Sequence, residues 1–221
     1  MISIYGLKKS QIEKILSDNN ILDTSIITGE CLDYKVDYDT NILIRIFNKY
    51  KDNIYSITGE SLAETLAKIT IKNNIKFSVA ESLTGGRIAS SLVEISGISS
   101  VFMEGVVCYS YESKHNRLDV PSDMLDIYGA VSPEVCKAML LGQNKYDVRL
   151  SMSTTGIAGP LGESHEDTLG LTYIGTKFDD NILVNKYIFE GSRVEVIKSS
   201  TNVCIGNAIV LLKKHFNIDL M

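Results

Sequence analysis

Apolar residues along the chain switch between helical and alternating spacing, and the switches mark out the elements. Ser10-Gln11-Ile12-Glu13 has capping-box spacing, and Ile12, Ile15 and Leu16 form one helical face, which predicts a short helix over 9–18. Ile26-Ile27, then alternating Leu32, Tyr34, Val36 and Tyr38, suit a half-buried strand within 24–38. Ile42, Leu43, Ile46 and Phe47 return to helical spacing. Residues 1–57 therefore read as helix, strand, helix, strand, a small α+β module.

From residue 61 the pattern changes to strands alternating with helices. Ser61-Leu62-Ala63-Glu64 is a second capping box, ahead of a helix carrying Leu62, Leu66 and Ile69. Phe77-Ser78-Val79-Ala80 reads as a strand running directly into Ser82-Leu83-Thr84-Gly85-Gly86, after which Ile88, Leu92, Val93 and Ile95 mark a helix. Further on the pattern predicts a strand at 104–110, a helix near 111–118 and a helix at 133–145 begun by Ser132-Pro133. A strand at 148–154 and hairpin strands at 169–178 and 182–190 around Asp179-Asp180-Asn181 follow. The closing helix, 193–215, carries a stripe of Val194, Ile197, Thr201, Cys204, Ala208, Leu211 and His215. The expected class is α/β, with a boundary near Thr58-Gly59 separating 1–57 from 58–221.

Composition narrows the function classes. With 44% hydrophobic and 22% charged residues and only 3 Pro in 221, the chain has the profile of a folded globular protein. A net charge of −5 without a basic stripe argues against nucleic acid, and the first module lacks a G-x-x-G clamp loop. No apolar run approaches about 18 residues, and Met1 to Lys9 shows no signal-peptide core, so a cytoplasmic protein without a membrane partner is expected. Cys31, Cys108, Cys136 and Cys204 are scattered, and His115, His165 and His215 have no metal-ligand spacing, so neither a disulfide framework nor a metal or other cofactor is expected.

The candidate chemistry starts at Ser82. A serine at the end of a buried strand, followed by Gly85 and Gly86 at a helix start, offers an exposed hydroxyl and backbone N–H groups for an oxyanion, with Thr84 as a further donor. The same residues equally suit a plain helix cap and tight turn. Tyr109-Ser110-Tyr111-Glu112-Ser113-Lys114 lies just past a buried strand, and one helical turn there would bring Tyr109 and Lys114 to the edge occupied by Ser82. A lysine desolvated in a cleft can serve a serine as base, and the plain alternative for Lys114 is a solvated helix lysine. Thr155-Gly156-Ile157-Ala158-Gly159-Pro160 is a small-residue loop that lets backbone approach a ligand. Arg193, in the first turn of the last helix, is misplaced for the helix dipole and hints at an anionic partner, or at a surface ion pair.

Taken in order, Ala80-Glu81-Ser82-x-Thr84-Gly85-Gly86, Gly105-Val106-Val107-x-Tyr109-Ser110-x-Glu112-x-Lys114, Gly129-Ala130-Val131-Ser132, Thr155 to Pro160 and Gly191-x-Arg193 resemble the CinA carboxy-terminal domain, the nicotinamide mononucleotide deamidase family. The resemblance covers about 60–216, and Tyr5 to Glu13 more weakly resembles the KH-like linker that precedes this domain in full-length CinA proteins. It implies a three-layer α/β/α fold with a mixed sheet, a KH-like α+β module before it, a homodimer, and metal-free hydrolysis of a small nucleotide's carboxamide in pyridine nucleotide salvage. By motif position, Ser82 would be the nucleophile and Lys114 with Tyr109 the proton carriers. Backbone around Thr84, Gly85 and Gly86 would hold the oxyanion, while Thr155, Gly156, Ala158, Gly159 and Arg193 would orient the carboxamide or the phosphate. No counterpart of the family's molybdopterin-binding-like domain is found, and no pyrophosphatase activity is expected.

Two departures from the family pattern stand out. Leu83 replaces the usual Cys, and Leu161 to Gly170 replaces a D-G-G-S/T … K-P-V-G stretch, with Glu163, Asp167 and Thr168 making the loop more acidic. A non-catalytic nucleotide-binding relative, or an amidase for another nicotinamide-like amide, remain as alternatives to the deamidase.

Overall fold

The computed structural model describes residues 1–143, 146–159 and 168–218. The first module comprises β1 (Ile2–Tyr5), α1 (Lys9–Asp18), β2 (Ile27–Glu30), β3 (Asp33–Val36), α2 (Thr40–Phe47) and β4 (Ile54–Ser56). Its strands form an antiparallel sheet in the order β2-β3-β1-β4, the split β-α-β-β-α-β arrangement. The single strand expected within 24–38 is thus a hairpin, with Cys31 and Leu32 at positive φ in its turn. The cap of α1 also differs: Lys8 is the N-cap, and Gln11 Oε1 accepts its backbone N–H at 2.7 Å.

β1 escaped the sequence reading because it is buried on both faces, which removes the alternation. Ile2 and Ile4 enter the module's own core with Ile12, Leu16, Leu43 and Phe47. Tyr5 turns the other way and joins the main core of the molecule.

That main core belongs to a second set of elements: α3 (Leu62–Lys72), β5 (Phe77–Glu81), α4 (Arg87–Val93), β6 (Phe102–Val107), α5 (Tyr111–Leu118), α6 (Ser122–Tyr128), α7 (Pro133–Leu141), β7 (Leu150–Gly156), β8 (Leu171–Phe178), β9 (Asn181–Ile188) and α8 (Arg193–Phe216). The strands form a mixed sheet in the order β6-β5-β7-β8-β9. β5 runs parallel to both β6 and β7, while β8 and β9 complete an antiparallel meander. One sheet face, with Phe77, Val79, Leu150, Met152 and Ile174, packs on α3 and α8. The opposite face meets α5, α6 and α7, where Ala80 packs with Leu118, Leu125, Val135 and Met139. This is the three-layer mixed α/β architecture expected.

Element limits shift where tertiary contacts override local pattern. β6 starts at Phe102, whose ring stacks on Phe77 at 5.0 Å, and ends at Val107, so 108–110 is connection rather than strand. α7 ends at Leu141, and its C-cap, Gly142, packs so closely on the Leu118 carbonyl that a Cβ would not fit. α6 was not anticipated, and of its seven residues only Leu125 is buried. The stripe expected on α8 was too narrow: Val194 is 50% exposed, whereas Val196, Ser200, Val203, Ile205, Ile209 and Leu212 are buried. The reason is that α8 is covered on two sides, by the large sheet and by the first module. Tyr5 rests on Gly206, Asn202 Nδ2 donates to Cys31 O at 2.9 Å, and Lys213 Nζ donates to Ile54 O at 2.9 Å.

The parallel strands β5, β6 and β7 end at the same edge of the sheet. In open α/β sheets that carboxyl edge is where ligands bind.

Candidate active site

Ser82 follows the last residue of β5, and its N–H continues the ladder by donating to Thr154 O at 3.0 Å. The chain then turns through Gly85 (φ 59°) and Gly86 (φ 94°), backbone that favours glycine, into α4. Glu81, fully buried, fixes this turn from below. Its Oε2 accepts the N–H groups of Gly86 and Ile88 at 2.9 and 3.1 Å, and its Oε1 accepts that of Ala89 at 2.9 Å. A carboxylate thus satisfies the donors that a helix start leaves unpaired.

This arrangement corrects the expected oxyanion site. Gly86 N–H is taken by Glu81 and Gly85 N–H by Ser82 O at 3.1 Å, so neither glycine offers a donor. The Thr84 hydroxyl is buried against Thr154 Oγ1 at 2.8 Å. The N–H groups of Leu83 and Thr84 have no acceptor among the described residues, and they are the donors adjacent to the serine.

Lys114 enters from the other side. Past the end of β6, Ser110 caps α5, and one turn later the Lys114 side chain points back under the strand ends with no solvent exposure. Its Nζ lies 3.0 Å from Ser82 Oγ, 2.8 Å from Cys108 O and 3.3 Å from Tyr109 O. Ser82 itself is 7% exposed, at the floor of a cavity of about 350 Å³.

Tyr109 lines this cavity, but its hydroxyl is committed elsewhere than expected. It accepts from Arg193 Nη2 at 3.0 Å, and what touches the lysine amine is the Tyr109 carbonyl. Arg193 Nη1 donates to Gly159 O at 2.7 Å, so one guanidinium ties the start of α8 to the 155–159 loop and to Tyr109. Thr155, Gly156, Ala158 and Gly159 line the same cavity as Ser82 and Lys114. Thr155 Oγ1 donates to Ala130 O at 2.7 Å, and Gly156 allows β8 to approach, since a Cβ there would sit 2.6 Å from Leu171 O.

Of the other wall residues, Tyr111 and Gly129-Ala130-Val131 belong to motifs quoted from sequence without a role, and Tyr128 to none. Tyr111 and Tyr128 face the cavity with Gly129, Ala130 and Val131, and Ala130 N–H donates to the Tyr111 hydroxyl at 3.1 Å. Glu81 carried a usable signal: a carboxylate between a strand and a glycine turn sits where helix N–H groups converge. Tyr128 had none, because α6 itself was missed. The acidic stretch 161–167 lies outside the described residues. Among the described residues, no group of three or more His, Cys, Asp or Glu could hold a metal ion, and no helix is long and apolar enough to cross a membrane.

Residues 59–212 match the model of the CinA C-terminal domain. The chain belongs to this family. A competence-damage inducible protein of Clostridium beijerinckii is 43% identical over 157 residues, covering 71% of this chain and 38% of that protein. A similarly named protein of Clostridium perfringens is 35% identical over 214 residues, covering 89% and 52%. This chain therefore spans between about two fifths and one half of those relatives. Among solved structures, a competence/damage inducible protein from Agrobacterium tumefaciens superposes with a TM-score of 0.65 at 31% identity, covering 69% of this chain and 93% of that one. A CinA superfamily protein from Klebsiella pneumoniae gives 0.66 at 25%, covering 69% and 96%. Ser82, Lys114 and the 155–159 loop all fall inside the CinA C-terminal domain segment.

Proposed function

We propose that this protein hydrolyses the carboxamide of nicotinamide mononucleotide to nicotinic acid mononucleotide and ammonia, with Ser82 as nucleophile and Lys114 as its base. The observation that carries the reading is the buried amine of Lys114 at 3.0 Å from the Ser82 hydroxyl. A serine hydroxyl is a weak nucleophile until a neighbouring base takes its proton, and a serine–lysine pair is one known solution.

In this reaction Lys114, entering as the neutral amine, accepts the Ser82 proton as Oγ bonds to the carboxamide carbon. The oxyanion is held by the N–H groups of Leu83 and Thr84, which follow the nucleophile in the chain. The tetrahedral intermediate collapses by breaking the C–N bond, and the Lys114 ammonium supplies the proton with which ammonia leaves. Water then attacks the acyl-serine, giving one proton to Lys114, which returns it to Ser82 Oγ as the carboxylic acid departs and passes its own proton to the released ammonia. Atoms balance with one amide and one water consumed.

Arg193 is the group for the nucleotide phosphate. It stands at the cavity rim with two contacts already fixing its plane, which leaves further guanidinium donors to face a ligand. Tyr109, through its hydroxyl, then acts by orienting Arg193 rather than by carrying a proton.

The test is a panel of nicotinamide mononucleotide, nicotinamide riboside and free nicotinamide, assayed for ammonia and for the acid product. The proposal expects the mononucleotide to be processed far faster than the other two. Equal rates would remove the phosphate from the account, and release of ammonia from none of them would remove the amidase.

A further inference from the structure

The cavity wall contains aromatic surface that the amidase chemistry does not use. Tyr109 and Tyr128 are 59% and 51% exposed, and with Tyr111 they line the cavity that holds Ser82 and Lys114. Tyr128 is the last residue of α6. Gly129, at φ 72°, ends that helix and turns the chain into the wall segment 129–131. Tyr111 is held on the same side, its hydroxyl accepting from Ala130 N–H, while Ala130 O accepts from Thr155 Oγ1. Two rings from different elements are thus placed by one short loop.

The charges in the wall are one-sided. Among the described residues lining the cavity, Lys114 and Arg193 are the basic side chains, and none is Asp or Glu. Among these described residues an anion meets Arg193, and a cation meets the faces of the tyrosines.

We infer that Tyr128, with Tyr111, forms an aromatic platform that selects substrates whose amide-bearing ring carries a permanent positive charge, an N-alkylated pyridinium. This rests on the function proposed above, whose substrate has such a ring. Aromatic faces attract organic cations through their quadrupole, best where water is excluded. A carboxylate in the same place would attract the ring equally well, but it would also pair with Lys114 and hold it as the ammonium, unable to take the serine proton. Tyrosine faces supply the attraction without a competing negative charge. The platform therefore makes ring charge, alongside phosphate and carboxamide, a determinant of specificity.

The experiment compares binding of nicotinamide mononucleotide and its reduced dihydro form, which keeps the ribose, phosphate and carboxamide but has a neutral ring. Calorimetry in a Ser82→Ala background prevents turnover. The oxidised form is expected to bind about tenfold more tightly. Tyr128→Leu should weaken the oxidised ligand severalfold and leave the reduced one unchanged, and Tyr128→Phe, which keeps the ring face, should restore the preference. Equal affinities for the two ligands, equal weakening of both by Tyr128→Leu, or no binding of either would overturn the inference. Ring-charge selectivity in a protein whose wild type releases no ammonia would sustain the platform while removing the amidase. Ammonia release without selectivity would do the reverse.

Discussion

The Lys114 amine stands 3.0 Å from the Ser82 hydroxyl although 32 residues separate them, because β5 and β6 are adjacent parallel strands ending at one sheet edge. One residue is delivered by a strand end and the other by the first turn of the following helix. Replacement by Met, similar in length and unable to accept a proton, is expected to lower ammonia release by about 10²- to 10⁴-fold. Lys114→Arg should be no better, since a guanidinium stays protonated. Activity within threefold of wild type in Lys114→Met, in protein shown folded by its thermal transition, would exclude the lysine as base.

Glu81 sets the turn that presents Ser82, and its two oxygens together accept three backbone N–H groups. In Glu81→Gln one of those oxygens becomes an amide donor facing a donor. Stability should fall by roughly 1–3 kcal/mol, read by urea unfolding. Because the turn also aims Ser82, the proposed nucleophile, kcat should drop at least tenfold with KM little changed. A loss of stability with kcat intact would reduce Glu81 to a helix cap.

Gly206 is the point at which α8 admits the first module. A Cβ there would lie 2.1 Å from the Tyr5 ring. Alanine is the better helix former by about 1 kcal/mol, but the overlap costs about 1–3 kcal/mol. Gly206→Ala should therefore lower the melting temperature, and combining it with Tyr5→Ala should cost less than the sum of the two single changes. Strict additivity would mean that the two residues do not press on each other.

Glu60 links the module to α3 and gives a pH signature. Hydrogen bonds from the Ser56 and Thr58 hydroxyls hold its pKa down, from 4.5 to about 2. A carboxylate with a depressed folded-state pKa contributes stability above its unfolded value, and the contribution is lost as pH falls through the folded one. Glu60→Gln should thus cost roughly 1–2 kcal/mol at pH 7, and the gap to wild type should close between pH 4.5 and 2. A gap independent of pH would show that the charge contributes nothing.

Much of this was legible in the sequence, for identifiable reasons. The Ser61 capping box, the Phe77 strand and the glycine turn after Ser82 are local signals that packing did not override. Ser82 and Lys114 were paired by counting one helical turn past a strand. What stayed hidden depended on surroundings: β1 lost its alternation by being buried on both faces, and α8 lost its single stripe by being covered on two sides. The N–H groups beside Ser82 that have no acceptor among the described residues are those of Leu83 and Thr84, because Glu81 takes the Gly86 N–H and Ser82 O takes that of Gly85. Tyr109 illustrates the limit of motif position, which located the residue at the site while its hydroxyl turned out to serve Arg193.

The most direct test sets wild type beside Ser82→Ala with nicotinamide mononucleotide as substrate and ammonia as the readout. The account predicts steady release by wild type, insensitive to a metal chelator, and none above background from Ser82→Ala of unchanged thermal stability. Comparable release from the two proteins, or dependence on an added metal, would contradict it.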